Sequence, residues 1–272
     1  MDGGLPETGS SGAGETPLDR YFAALDGIEG WLSPTAAWIM AGLIDWQGAK
    51  GVPGGIAEIG IHHGKSFLPL AMAARAEDAL HAIDCFDDQS VNIDQSGRGD
   101  RRIFEQHLSE WLPGRAVTVH EVDSLTIRGR EAALGLEGLR FFSVDGSHTR
   151  AATLNDLQVA DAALGPDGLC ALDDMLNACF TGVISGLFDY MTPDAGLVPV
   201  ALVPNKLLLA RPLVRDAVQA QLRERHAALL LKSDLELGDY RIDLFVEHEG
   251  LVPSGVPMAP RPRFWQRLFG RG

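Results

Sequence analysis

The chain has 272 residues, 46% of them hydrophobic, with 37 acidic against 23 basic side chains and a formal charge of -14. That length can bury a full core, and that charge repels a phosphate backbone over most of the surface, which excludes general nucleic-acid binding. The apolar runs are strand-sized, short of the ~20 residues a bilayer span needs, and the N-terminus lacks a charged-then-apolar signal pattern, so the cytoplasm is the expected compartment. The three cysteines, Cys85, Cys170 and Cys179, have neither metal nor disulfide spacing and read as small core residues.

The first 16 residues, MDGGLPETGSSGAGET, hold almost nothing to bury and are expected to be disordered. Two helical patterns follow, 17–29 and 34–48, the second with Ser33 as N-cap and Pro34 at its first position. Residues 17–52 therefore read as a helical extension. Short β-rich runs then alternate with helical ones: GIAEIGI (55–61), a helix over 65–76, LHAIDCF (80–86), a helix over 99–111, AVTVHEV (116–122), LRFFSVD (139–145), a helix over 149–164, GLCALDD (168–174) and a helix over 180–191. This alternation predicts βαβ units on a mostly parallel sheet with helices on both faces, an α/β fold over residues 53–250. GPDG at 165–168 is expected to stop one helix and open the next strand. LVPVALV, KLLLAR, a helix over 213–226 and YRIDLFVE (240–247) complete the domain. The tail 251–272 carries Arg263, Arg267 and Arg271 on one helical stripe and Phe264, Trp265, Leu268 and Phe269 on another. Such a basic amphipathic segment suits packing on its own core, on a second copy, or on an anionic membrane surface.

In open α/β sheets ligands bind beyond the carboxyl ends of the strands, so each tip is a candidate. The first ends AEIGIHHGKSF, in which Glu58, Gly60 and Gly64 precede a helix opening at Lys65 or Ser66. Glycines admit close approach of a ligand, and the helix start offers unpaired N–H groups. Bulky His62 stands where the second glycine of a dinucleotide fingerprint belongs, and Glu58 opposes phosphate while suiting a cationic ligand. The same glycines can serve strand-to-helix packing alone. Asp84 ends the second strand, placed to accept hydrogen bonds from ribose hydroxyls, and Asp123 with Ser124 ends the third, where a base amino group can be read. Each of these aspartates could instead cap a helix.

The fourth strand ends in Asp145 and the fifth in Asp173 and Asp174. Neighbouring strands lie ~4.8 Å apart, so three carboxylates would share one small volume at a cost that a hard cation such as Mg²⁺ can relieve. Helix capping without a metal is the alternative. His148, three residues past Asp145, titrates near neutrality and is placed to act as a base. Asn177, Asn205 and Lys206 follow strand ends in the acceptor region, and His62, His63 and Lys65 could rim it.

Taken in order, E-x-G-x-x-x-G, AID, VDS, VDGSH and LDD resemble the class I S-adenosylmethionine-dependent methyltransferases over residues 55 to about 211. DQSVNIDQSGRGD after the second strand, with DDMLN and TGVISGLFDYM after the fifth, resembles the bacterial branch near the macrolide and macrocin sugar O-methyltransferases. The resemblance implies a Rossmann-like methyltransferase fold and S-adenosylmethionine as cofactor. Glu58, Gly60 and Gly64, with Ser66 beside them, would line its methionine and ribose side, Asp84 its ribose hydroxyls, and Asp123 with Ser124 its adenine. It also implies a divalent metal, Mg²⁺ by preference, on Asp145, Asp173 and Asp174. His148 stands at the offset that a catalytic lysine holds in the metal-dependent catechol-type enzymes. The expected activity is metal-assisted methyl transfer to a hydroxyl of a sugar, glycan or natural-product acceptor. A catechol or phenol O-methyltransferase and a non-catalytic S-adenosylmethionine-binding partner in a biosynthetic complex are the alternatives, and a homo-oligomer is left open.

Overall fold

The computed structural model describes residues 16–247. The disorder expected of residues 1–15 and the amphipathic tail expected over 251–272 concern residues outside that range. Thr16 itself is ordered: its hydroxyl accepts from Asp19 N and its own N–H donates to the Asp19 carboxylate, a reciprocal cap for helix α1 (Pro17–Ala24). Helix α2 (Pro34–Ala49) starts where the sequence places it, with the Ser33 hydroxyl accepting from Ala36 N at 3.2 Å and Pro34 at the first position. Its apolar residues run all round the helix, which is why it sits in the core rather than on the surface.

Nine strands form one sheet in the order β3-β2-β1-β4-β5-β7-β6-β9-β8. Strands β1 (Ile56–Ile59), β2 (Leu80–Asp84), β3 (Thr118–Glu121), β4 (Leu139–Val144) and β5 (Leu164–Leu172) pair in parallel. The next two, β6 (Val198–Val203) and β7 (Lys206–Ala210), form a tight hairpin in which β7 inserts antiparallel between β5 and β6. An outer hairpin of β8 (Leu230–Leu237) and β9 (Tyr240–Phe245) extends the sheet, with β9 parallel to β6. The GPDG segment does not precede the fifth strand; it lies inside β5, where the register with β4 shifts.

Successive side chains on a strand point to opposite faces, and the pattern here feeds two cores. Phe141 belongs to a cluster built with α1, α2, α3 (Phe67–Ala73), α4 (Arg101–Trp111) and α7 (Arg215–Arg225), whereas Phe142 belongs to one built with α5 (Arg150–Ala163) and α6 (Thr181–Tyr190). At the amino end of β4 the fully buried Arg140 fastens α2 to the sheet. Its guanidinium donates to Ile44 O at 2.6 Å and to Gly54 O, and pairs with Asp78, while Gln47 of α2 donates to Arg140 O at 2.9 Å. No described helix is long and apolar enough to cross a membrane. Of the cysteines, Cys170 is buried as expected, but Cys85 is only half-buried and Cys179 is exposed.

Candidate active site

The sheet ladder continues one residue past the central strands: Gly60 N donates to Ile83 O, Asp145 N to Ile59 O and Asp173 N to Val144 O, each at 2.9 Å. The strand tips therefore share one row, above which lies a cavity of about 750 Å³. Such a volume takes a nucleoside-sized ligand together with a small second molecule. Its wall includes Gly60, Ser66, Asp84, Asp123, Ser124, Asp145, His148, Asp173 and Asp174. His62, Lys65, Asn177, Asn205 and Lys206 line it as well. Glu58, Gly64 and His63 lie off that wall.

Gly60 has φ +88°, and a Cβ there would collide with Asp145 O, so the first loop lies directly against the fourth strand tip. Gly64 serves packing instead: a Cβ would stand 2.8 Å from the Phe104 ring of α4. Glu58 is fully buried behind the wall. Opposite it on β4 is Ser143, whose hydroxyl donates to Glu58 Oε1 at 2.9 Å. Burial raises the Glu58 carboxyl to about 7, against the pull of Lys206, Ser66 and Ser143. It is a buried group beneath the floor, not a wall residue awaiting a cationic ligand.

The Asp84 carboxylate organises the glycine loop. One oxygen accepts from Ile61 N and His62 N, both at 2.7 Å, and the other from Phe86 N at 2.6 Å. Asp123 accepts from Leu125 N at 3.0 Å, an N-cap for the short turn at Ser124–Thr126, and still faces the cavity. Four non-glycine residues of the wall, His62, Phe86, Asp174 and Asn205, are in the left-handed region, where L side chains are strained.

His148 is held on three sides. Asp94 Oδ2 lies 2.9 Å from Nδ1, Asp174 Oδ2 lies 2.7 Å from Nε2, and the Phe180 ring covers one face. Burial opposes the imidazolium, but the hydrogen bonds and charges of Asp174 and Asp94 outweigh it and hold the ring above its ordinary range. Asp174 in turn stays ionised, lowered to about 2: burial alone would raise it, and donors from His148, Asn205 and Asn177 reverse that. With both ring nitrogens engaged by carboxylates, His148 holds a proton at rest, which alters its expected part as a base already free to accept one.

The crowding of strand-tip carboxylates is relieved from within. Lys206, at the start of β7, is buried; its Nζ lies 2.5 Å from Asp173 Oδ2 and 3.2 Å from Asp145 Oδ2. Asp173 Oδ1 also accepts from Asp174 N and from Asn205. Burial and the neighbouring charge of Asp173 push Asp145 well above the usual carboxylate range, although Lys206 works the other way. Burial opposes the Lys206 charge, but Asp145, Asp173 and Glu58 hold the ammonium on, above its ordinary range. A divalent-ion site on Asp145, Asp173 and Asp174 needs those oxygens free and convergent; as placed they do not fit one, because an ammonium joins two of them and His148 and two asparagines hold the third. Asp145, His148 and Asp174 do bring one donor atom each within 4.8 Å of one another, but the His148 nitrogens are already engaged.

Residues 57–175 match the sequence model of a methyltransferase domain. That match runs from within β1 to just past the tip of β5. The strands it covers are the parallel ones, in the order β3-β2-β1-β4-β5, whose tips lie along the cavity. Among solved structures, this chain is similar to the O-methyltransferase from Bacillus cereus in complex with SAH (14% identity, TM-score 0.53, 72% of this chain and 90% of that one). It is also similar to the O-methyltransferase TomG from Streptomyces achromogenes, involved in tomaymycin synthesis and solved with SAM (15%, 0.51, 72% and 88%), and to the O-methyltransferase NovP (12%, 0.50, 65% and 79%). At these identities the likeness is one of fold. A search of the curated proteins finds no match. Asp94 and Phe180 were not legible as site residues. Asp94 lies in DQSVNIDQSGRGD, a segment that carried the resemblance without marking Asp94 itself.

Proposed function

We propose that the protein is a methyltransferase, which binds S-adenosylmethionine in the cavity and methylates a hydroxyl oxygen of a sugar, glycan or natural-product acceptor. The observation that carries this reading is the division of the cavity into two halves. Gly60, Asp84, Asp123 and Ser124 form one end, suited to a nucleoside, and Asp145, His148, Asp173 and Asp174 form the other, suited to an acceptor and its proton. An acidic wall matches a sulfonium cation and opposes a pyrophosphate. The solved structures of similar fold that are named O-methyltransferases support oxygen as the acceptor atom.

When bound, S-adenosylmethionine supplies an electrophilic methyl group, which leaves S-adenosylhomocysteine as the new C–O bond forms. The protein's part is to hold the acceptor oxygen in line and take its proton. We assign that proton to His148 Nε2, which becomes available once the ring has released its resting proton to solvent and the incoming hydroxyl replaces Asp174 on that nitrogen. Asp94 and Phe180 keep the imidazole in place throughout. Trp31, 74% exposed at the cavity mouth and 5.9 Å from the His62 ring, offers a flat apolar face for the acceptor ring.

Calorimetric titration of S-adenosylhomocysteine into the purified protein tests the first half of the reading; micromolar binding is expected, and no heat at millimolar ligand overturns it. Labelled-methyl transfer to panels of sugars and phenols tests the second. Product on the sugar panel is expected, whereas product on phenols alone replaces the acceptor class.

A further inference from the structure

In a metal-assisted transferase a divalent ion neutralises the carboxylates at the tips of β4 and β5 and charges the acceptor end of the cavity. We propose that in this chain the Lys206 ammonium is that cation, built into the fold, and that methyl transfer proceeds without a divalent metal. The inference rests on the methyltransferase reading above and adds to it the source of positive charge at the acceptor end.

Topology delivers the lysine. Because β7 runs antiparallel beside β5, with Leu207 opposite Leu172, the residue before Leu207 must arrive level with the residue after Leu172. Lys206 therefore meets Asp173, and since Asp173 N is bonded to Val144 O, Asp145 lies alongside. The hairpin turn that precedes β7 carries Asn205 in the left-handed conformation, with its side chain on both Asp173 and Asp174. One short turn thus supplies a cation to two of the three carboxylates and an amide to two of them. The third, Asp174, receives His148.

The ammonium sits between the carboxylates a metal would need, on a side chain only 2% exposed. A divalent ion at that place would repel it at contact distance and would also have to displace Asn205. The alternative donors, Asp145, His148 and Asp174, would bind only after the imidazole gave up Asp94 or Asp174. A lysine is a compact cation with three donors that holds acidic oxygens as a point charge. Two of those donors are used by Asp145 and Asp173, and Lys206 still lines the cavity.

The test is Mn²⁺ titration of the full chain, followed by electron paramagnetic resonance of the free ion, with and without S-adenosylhomocysteine, alongside methyl transfer after dialysis against chelator. The parent is expected to show no stoichiometric Mn²⁺ binding and to keep its rate within about twofold after chelation. Stoichiometric binding, or a loss of about tenfold or more that Mg²⁺ restores, overturns the proposal. Lys206→Ala, which frees the two carboxylates, is expected to gain a Mn²⁺ site; if it is folded by circular dichroism and gains none, the claim that the lysine fills the metal's place is wrong. Should that variant fail to fold, Lys206→Met keeps the buried stem and removes only the charge. It is expected to gain the same Mn²⁺ site, and a folded Lys206→Met that gains none counts equally against the proposal. The Mn²⁺ readout of the parent does not depend on cofactor binding, so failure of the methyltransferase reading, seen as absent S-adenosylhomocysteine heat, is distinguishable from failure of this inference.

Discussion

The imidazole of His148 lies flat on the ring of Phe180, with centroids 3.7 Å apart and planes 9° from parallel. Stacking fixes the plane of the imidazole, and Asp94 and Asp174 fix its rotation within that plane. The two carboxylates hold the ring's pKa up against burial, so a reaction that needs the neutral ring should have an acid limb above the ordinary imidazole range. Asp94→Asn removes one negative neighbour, lowers the His148 pKa and should move that limb to lower pH. A pH profile of kcat for parent and variant checks it; an unmoved limb would assign the titration to another group.

Asp84 ties three backbone amides of the loop that faces the proposed nucleoside end. Replacing one acceptor oxygen by an amide leaves a buried N–H without its partner, at a cost of about 1–3 kcal/mol. Asp84→Asn should therefore weaken S-adenosylhomocysteine binding by roughly tenfold to a hundredfold, read by calorimetry. Affinity equal to the parent's would separate this loop from cofactor recognition.

Glu58 gives the fold a pH dependence of its own. Its folded pKa is raised from 4.5 to about 7, so between those values the folded protein holds a proton that the unfolded chain has released. Stability from this group is fully present below pH 4.5, falls as pH rises toward 7, and is flat above, a loss of up to about 3 kcal/mol. Glu58→Gln keeps the acceptor for Ser143 and cannot ionise. Its urea midpoint should change less with pH than the parent's and should exceed it above pH 7.

Arg140 makes a distant, purely structural prediction. Arg140→Met removes a buried cation and leaves the Asp78 carboxylate to Arg75 alone, so a loss of about 3 kcal/mol, the low end for a broken buried pair, is expected, with Asp78→Asn partly restoring it. Thermal melts of the single and double variants measure the difference. Asp78 keeps Arg75, which limits the damage.

Trp31→Ala should raise KM for the acceptor while leaving S-adenosylhomocysteine affinity unchanged, because the ring stands at the mouth and not at the nucleoside end. Initial rates over a range of acceptor concentrations, beside calorimetry, separate the two. A change in cofactor affinity alone would remove the stacking role.

The parallel strands were legible because each is a short apolar run closed by a polar tip, and their order along the chain carries the family pattern. β8 was not legible: LLKSDLEL is half polar and mostly exposed, an edge strand made by pairing with β9 rather than by burial. The same limit applied at the site. That three carboxylates would crowd together follows from strand spacing, and Asp145 and Asp173 do meet. What neutralises them could not be read, since Lys206 reaches them through the antiparallel insertion of β7, a pairing between segments far apart in sequence. That Glu58 is fully buried was not legible either, since a charged residue at a strand tip reads as exposed to the ligand side.

The left-handed residues of the wall have an evolutionary corollary. Glycine at His62 would release backbone strain without emptying the core, whereas Phe86 is fully buried and Asn205 holds two carboxylates, so selection for heat resistance alone should find the first of these positions early. Such a gain would loosen the loop that faces the ligand, and turnover would fall as melting temperature rose. Asp234, left-handed too but on the outer hairpin and away from the cavity, carries no such conflict. A library sorted for survival and then for activity should therefore keep changes at Asp234 and discard those at the wall.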